Sequence, residues 1–112
     1  MDIENTKAQM RKGILEYCIL LVLSENSCYA SDIIKELKQV KVIVVEGTLY
    51  PLLTRLKNAG LLSYRWEESQ QGPPRKYYEL TSEGRNYLME LDNSWEELVE
   101  SVNMIRKRKK QI

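Results

Sequence analysis

Near the start of the chain the apolar positions Ile14, Leu15, Cys18, Leu21 and Val22 recur every three or four residues, the spacing that gathers side chains on one side of an α-helix. The pattern predicts a helix from about Thr6 to Ser24, and its second half, YCILLVL, is apolar all round, as befits a helix covered on several sides. After the polar break ENS, the stretch YASDIIKELKQV sets Ile33, Ile34, Leu37 and Val40 on one face of a second, short helix, with Asp32 near its positive start. The next segment, VKVIVVEG, is β-branched and extended in character. A stripe of Leu49, Leu52, Leu53 and Leu56 then predicts a third helix from about Gly47 to the stop signal Asn58-Ala59-Gly60.

Pro51 interrupts that stripe. Proline lacks an N–H, which costs little within the first turn of a helix, where amides have no intrahelical partner. The expectation is therefore that the helix starts near Gly47 or Thr48, with Gly47, Thr48, Tyr50 and Pro51 at an N-terminal end whose free amides and positive dipole suit phosphate oxygens.

Two runs of strict alternation follow. LLSYRWEE sets Leu62, Tyr64 and Trp66 against Ser63, Arg65 and Glu67, and RKYYELT sets Lys76, Tyr78 and Leu80 against Arg75, Tyr77 and Glu79. The intervening SQQGPP reads as a projecting loop, too long for a two-residue turn, with Arg65, Arg75 and Lys76 near its base. The last helix, from about Ser82 to Arg108, carries Leu88, Leu91, Trp95, Leu98, Val102 and Ile105 at alternating spacings of three and four, a heptad seam. A seam so narrow on so long a helix points to a symmetry mate, with folding back along the first helix as the competing arrangement.

Composition narrows the function. A chain of 112 residues with 43% apolar and 29% charged positions suffices for one compact domain. With no histidine and two isolated cysteines, Cys18 and Cys28, the sequence signals neither a metal site, nor a disulfide framework, nor the usual triads, so neither an enzyme nor a cofactor is expected. No apolar run approaches a membrane span, and the expected location is cytoplasmic. The net charge of +1 conceals a strong division: residues 82–105 are acidic, and RKRKK follows at 106–110.

Three helices, a hairpin and a long terminal helix give the expected fold: mainly α with a small β-hairpin (α+β), a winged helix-turn-helix with a long C-terminal dimerisation helix. The segments KGILEYCILLVL, EGTLYPLLTRLKNAGLL and GPPRKYYELTSEG, together with that last helix, resemble the PadR-like transcriptional regulators, in particular the short subgroup with one helix after the wing. The resemblance implies a winged helix-turn-helix over 1–81 and a dimerisation helix with basic tail over 82–112, in a homodimeric repressor of double-stranded DNA. Carried over residue by residue, it points to Gly47, Thr48, Tyr50, Pro51, Thr54 and Arg55 on the recognition helix and to Arg75 and Lys76 on the wing. The sequence departs from the family at YASDI, where members often have glycine-tyrosine-glutamate, so no contact from the second helix is carried over.

In some short members that sense planar drugs, a tryptophan of the last helix lines a flat pore between subunits, and Trp95 falls at a similar point. That resemblance implies a small aromatic effector stacked on Trp95; the plainer expectation is an indole that fills the dimer contact. The modest charge of the third helix and wing keeps one alternative of another class, a winged-helix module that binds protein rather than DNA.

Overall fold

The computed structural model describes residues 1–110, so positions 111 and 112 of the expected C-terminal segment lie outside the described residues, as do the side chains at 109 and 110 of the basic run. The elements are α1 (Ile3–Glu25), β1 (Cys28–Tyr29), α2 (Ala30–Gln39), α3 (Glu46–Asn58), β2 (Leu62–Ser69), β3 (Gly72–Leu80) and α4 (Ser82–Lys110). Every expected helix is present. α1 begins three residues earlier than its apolar spacing suggested, because the Asp2 carboxylate accepts from the Glu4 amide at 2.9 Å and caps the polar first turn.

The core lies where α1, α2 and α3 meet the sheet. Ile19, Leu20 and Leu23 of α1, Ile33 and Leu37 of α2, and Leu49, Leu53 and Leu56 of α3 are fully covered, joined by Leu62, Tyr78 and Leu80 from the strands. Burying a leucine of this kind stabilises a fold by about 2 kcal/mol, so these residues hold α3 in place against the rest of the domain. Leu52, grouped with that stripe by spacing, is only half-buried at its border.

The strands form an antiparallel sheet in the order β1-β3-β2. Leu62, Tyr64 and Trp66 face Leu80, Tyr78 and Lys76 across the β2–β3 ladder, so the expected alternation holds residue for residue. Two features differ from expectation. β1 pairs Cys28 with Tyr78 and Tyr29 with Tyr77, and a strand of two residues has no alternation to read. The projecting loop SQQGPP is also absent as such: β2 and β3 run on until Ser69 pairs with Gly72, leaving Gln70 and Gln71 in a tight turn. Pro73 and Pro74 fit in β3 because β1 ends before reaching them and the ladder is irregular between Glu67 and Ser69, so no partner on that edge requires their missing N–H.

Pro51 also corrects its expectation. With α3 beginning at Glu46, it is in the second turn, and the carbonyl it leaves without a donor is that of Gly47. Both residues are exposed, so the freed carbonyl stays available to water or a ligand.

α4 starts on a tight joint. The Thr81 hydroxyl donates to the Gly60 carbonyl at 2.7 Å and accepts from the Gly84 amide at 2.9 Å. The helix then runs far from the core, and the molecule measures 62 × 33 × 21 Å. Its radius of gyration of 16.7 Å exceeds the value of about 13 Å for a compact chain of this length.

The heptad seam divides along this helix. Leu88 is 6% exposed inside the chain's own core, and Leu91 packs half-buried on the same core. Leu88 is therefore covered within its own subunit, because α4 still lies on α1 at that point. Beyond Trp95, Leu98 (59% exposed), Val102 and Ile105 touch no core of their own.

Candidate nucleic-acid interface

The outward side of α3 carries all six residues expected on a recognition helix. Gly47, Thr48, Tyr50, Pro51, Thr54 and Arg55 are exposed, while Leu49, Leu53 and Leu56 hold the opposite side in the core. At about 100° per residue they spread into three rows. Tyr50, with Glu46 and Lys57, faces the hairpin; Gly47, Pro51, Thr54 and Asn58 form the crest; Thr48 and Arg55 face α1.

The hairpin side is a cleft of about 400 Å3 between the start of α3, the start of α2 and strand β3. Tyr50 lines it at 46% exposure, so the ring is neither packed away nor free. Arg75 and Lys76 line it too, each set on aromatic rings. The Arg75 guanidinium lies 3.9 Å from the centre of the Tyr29 ring and within 3.5 Å of the Ser31 hydroxyl. The Lys76 ammonium sits 4.5 Å from the Tyr64 ring and 5.5 Å from the Trp66 ring. Rings that carry a cation hold it in place while its N–H groups stay open to an acceptor. Burial pushes the Tyr78 phenol upward, and Tyr50 and Tyr64 add to the shift, so the floor of the cleft is neutral.

On the other side the geometry modifies the expectation for Arg55. Its guanidinium pairs with Glu16 of α1 at 3.1 Å, with the arginine side chain largely in solvent. An exposed pair contributes about 0–1 kcal/mol, so exchange of that carboxylate for a phosphate oxygen costs little.

A second cluster lies where α1 meets α4. The Tyr17 hydroxyl donates to the Asp92 carboxylate, and burial with this bond pushes the phenol up to about 12. Its ring centre is 6.1 Å from that of Trp95, which stays 38% exposed, so one flank of the indole rests on its own subunit and another is open. Burial raises both thiols, Cys28 to about 11, which makes them poor nucleophiles at neutral pH.

The sequence profile described as "Transcriptional regulator PadR-like family" matches residues 19–90, which span the end of α1, α2, α3, the hairpin and the start of α4. The chain belongs to the PadR-like family of transcriptional regulators. A PadR-like transcription factor from Bacteroides fragilis is 66% identical, with 90% of this chain and 98% of that one aligned at a TM-score of 0.77. A PadR-like regulator from Bacillus cereus is 37% identical over 87% of this chain and 95% of its own, also at 0.77. One from Eggerthella lenta is 32% identical over 92% and 90%, at 0.81. The family assigns this PadR-like protein to regulators rather than enzymes, on a winged-helix fold. Among the described residues no helix is long and apolar enough to cross a membrane.

Several residues that border the cleft or the exposed side of α3 in this PadR-like protein escaped the sequence reading. Glu46 and Lys57 belong to the exposed side of α3; a helical wheel started one residue earlier would have included Glu46, and Lys57 already lay within the expected helix. Tyr29 and Ser31 reach the cleft only because β1 brings the start of α2 beside Arg75, and no local pattern signals that.

Proposed function

We propose that the protein is a homodimeric repressor that places α3 in the major groove of a two-fold operator and lays the hairpin along the adjacent backbone. The observation that carries this reading is the joint exposure of Gly47, Thr48, Tyr50, Pro51, Thr54 and Arg55 beside two ring-mounted cations, Arg75 and Lys76. Thr48, Tyr50 and Thr54 present groups suited to base edges or phosphates, and the cations supply charge to the strand that crosses the cleft. Dimerisation through Leu91, Trp95, Leu98, Val102 and Ile105 of α4, with Leu88 anchoring the helix from inside the subunit, would set the separation of the two α3 helices.

The test is a salt-dependent mobility shift on duplex DNA from upstream of the protein's own coding sequence. Tyr50→Ala is expected to weaken specific binding by about 1–3 kcal/mol per half-site, whereas Arg75→Gln lowers the salt slope by about one unit per subunit, about two for the dimer, across all sequences. Binding indifferent to both changes, with circular dichroism intact, removes the cleft from the DNA contact. Absence of any duplex binding by the unmodified protein favours a protein-binding module instead.

The effector reading concerns Trp95, whose open flank neighbours Tyr17 and the Asp92 carboxylate, a setting that suits a planar aromatic cation. Such a compound can loosen DNA only by preferring one spacing of the two α3 helices over another. In the Trp66→Tyr variant, where Trp95 is the remaining indole, a planar dye is expected to quench fluorescence and to lower duplex affinity. Unchanged emission across a panel of such dyes leaves Trp95 as a packing residue.

A further inference from the structure

The side of α3 away from the wing carries its own set of groups. Ala8, Arg11 and Lys12 of α1, Ile43 and Val45 of the segment before α3, and Thr48 line one depression of about 290 Å3. Among the described residues neither Arg11 nor Lys12 has a carboxylate within 4.0 Å. The nearest acidic groups along α1 are engaged elsewhere, Glu4 with Lys7 at 3.6 Å and Glu16 with Arg55 at 3.1 Å.

The apolar members are unusual. After the turn at Lys41, which has φ of 66°, the chain is extended, and alternate residues face opposite ways. Val44 is buried, so Ile43 and Val45 point outward, at 67% and 64% exposure. No element of the subunit covers these two β-branched side chains, and they stand beside unpaired cations. An apolar ridge flanked by free positive charge matches a DNA strand, whose sugars and thymine methyls are apolar and whose phosphates are anionic.

Groove geometry supplies the register. The major groove is about 12 Å wide and a helix with its side chains is about 10–12 Å across, so a helix seated there has a sugar-phosphate strand against each flank. The wing side of α3 has Arg75 and Lys76 for one strand. We propose that Arg11 and Lys12, with Ile43 and Val45, form a second DNA-facing edge that holds the opposite strand of the same major groove. Arg11 and Lys12 take phosphate oxygens, and the ridge of Ile43 and Val45 packs on the sugars between them. This rests on the DNA-binding reading above, and α1 thereby acts in recognition as well as in the core.

The experiment compares the unmodified full-length protein with an Arg11→Gln/Lys12→Gln variant on two probes, the upstream duplex and a random-sequence duplex of equal length. The slope of log affinity against log salt is expected to fall by about two units per subunit, and so by about four for the dimer, on both probes, since each phosphate contact contributes about 0.9. Ethylation interference on the upstream duplex is expected to lose the strand beyond the α1 flank and keep the wing-side strand. The charge-preserving Arg11→Lys/Lys12→Arg variant should retain both the slope and the footprint. An unchanged slope overturns the inference while leaving the DNA reading intact, as does a lowered slope with both strands still protected, which marks a long-range charge effect. If the unmodified protein binds neither probe, the DNA reading fails first and takes this edge with it.

Discussion

Glutamate at both Leu98 and Val102 is expected to convert a particle of twice 13.2 kDa into one of 13.2 kDa in sedimentation at low micromolar concentration. The reason lies in the division of α4. Its 29 residues span about 44 Å, far more than the core beneath its first turns requires. Leu98, Val102 and Ile105 continue a heptad seam into solvent with nothing of their own chain to cover them. An unpaired carboxylate buried in such a contact costs several kcal/mol, about 3–5 when a charge is left without a partner, which exceeds what a short helical seam can supply. The subunit itself should stay folded, because neither side chain touches the core. Duplex affinity should drop on the order of 10²-fold, since two linked half-site contacts become independent. A variant that still sediments as a dimer moves the interface to other exposed apolar groups, such as Ile3 and Met10 of α1.

The second large effect comes from one methyl group at the joint between sheet and α4. A Cβ on Gly84 would stand 2.1 Å from the Leu61 carbonyl oxygen and 2.7 Å from a Leu80 methyl carbon. The first of these is backbone, which cannot swing aside as a long side chain would. The Leu61 carbonyl also accepts from the Thr81 amide at 3.1 Å, so moving it disturbs the cap that starts α4. Gly84→Ala is therefore expected to destabilise the fold by about 3 kcal/mol, at the upper end of overpacking costs. In thermal unfolding that is a fall of roughly 12 °C for a domain of this size. Gly13→Ala makes the same chemical change in the middle of α1, where a Cβ meets nothing within 4 Å. There it should stabilise by about 0.5–1 kcal/mol, because alanine removes the entropic cost of a helical glycine. Equal midpoints for the Gly84 variant and the parent would mean that α4 can shift freely on the sheet.

Much of this protein was legible in its pattern of apolar residues. The spacing of Leu49, Leu53 and Leu56 fixed the buried side of α3 and so, by subtraction, the exposed side that bears Thr48, Tyr50 and Thr54. Alternation along Leu62–Trp66 and Lys76–Leu80 separated the two faces of the hairpin, and the ladder then set Tyr64 opposite Tyr78. Both results follow from local geometry, since a period of 3.6 or 2 reports which side of its own element a residue occupies.

That same geometry is silent about what lies opposite. Leu88 and Val102 hold equivalent places in one heptad pattern, yet the first is covered by the core and the second by nothing in the chain, because α4 outruns α1. β1 exists only through its ladder to β3, and Pro73 and Pro74 continue a strand only because β1 stops short of them. Arg55 reads as a free cation until α1 brings Glu16 to it, and Arg11 and Lys12 read as ordinary surface charge until the fold sets them beside Thr48. Sequence by itself determined the four helices, the hairpin, their faces and the family; which faces meet, which charges are neutralised and which stay unpaired was decided by the tertiary structure, since each of these depends on residues far apart in the chain.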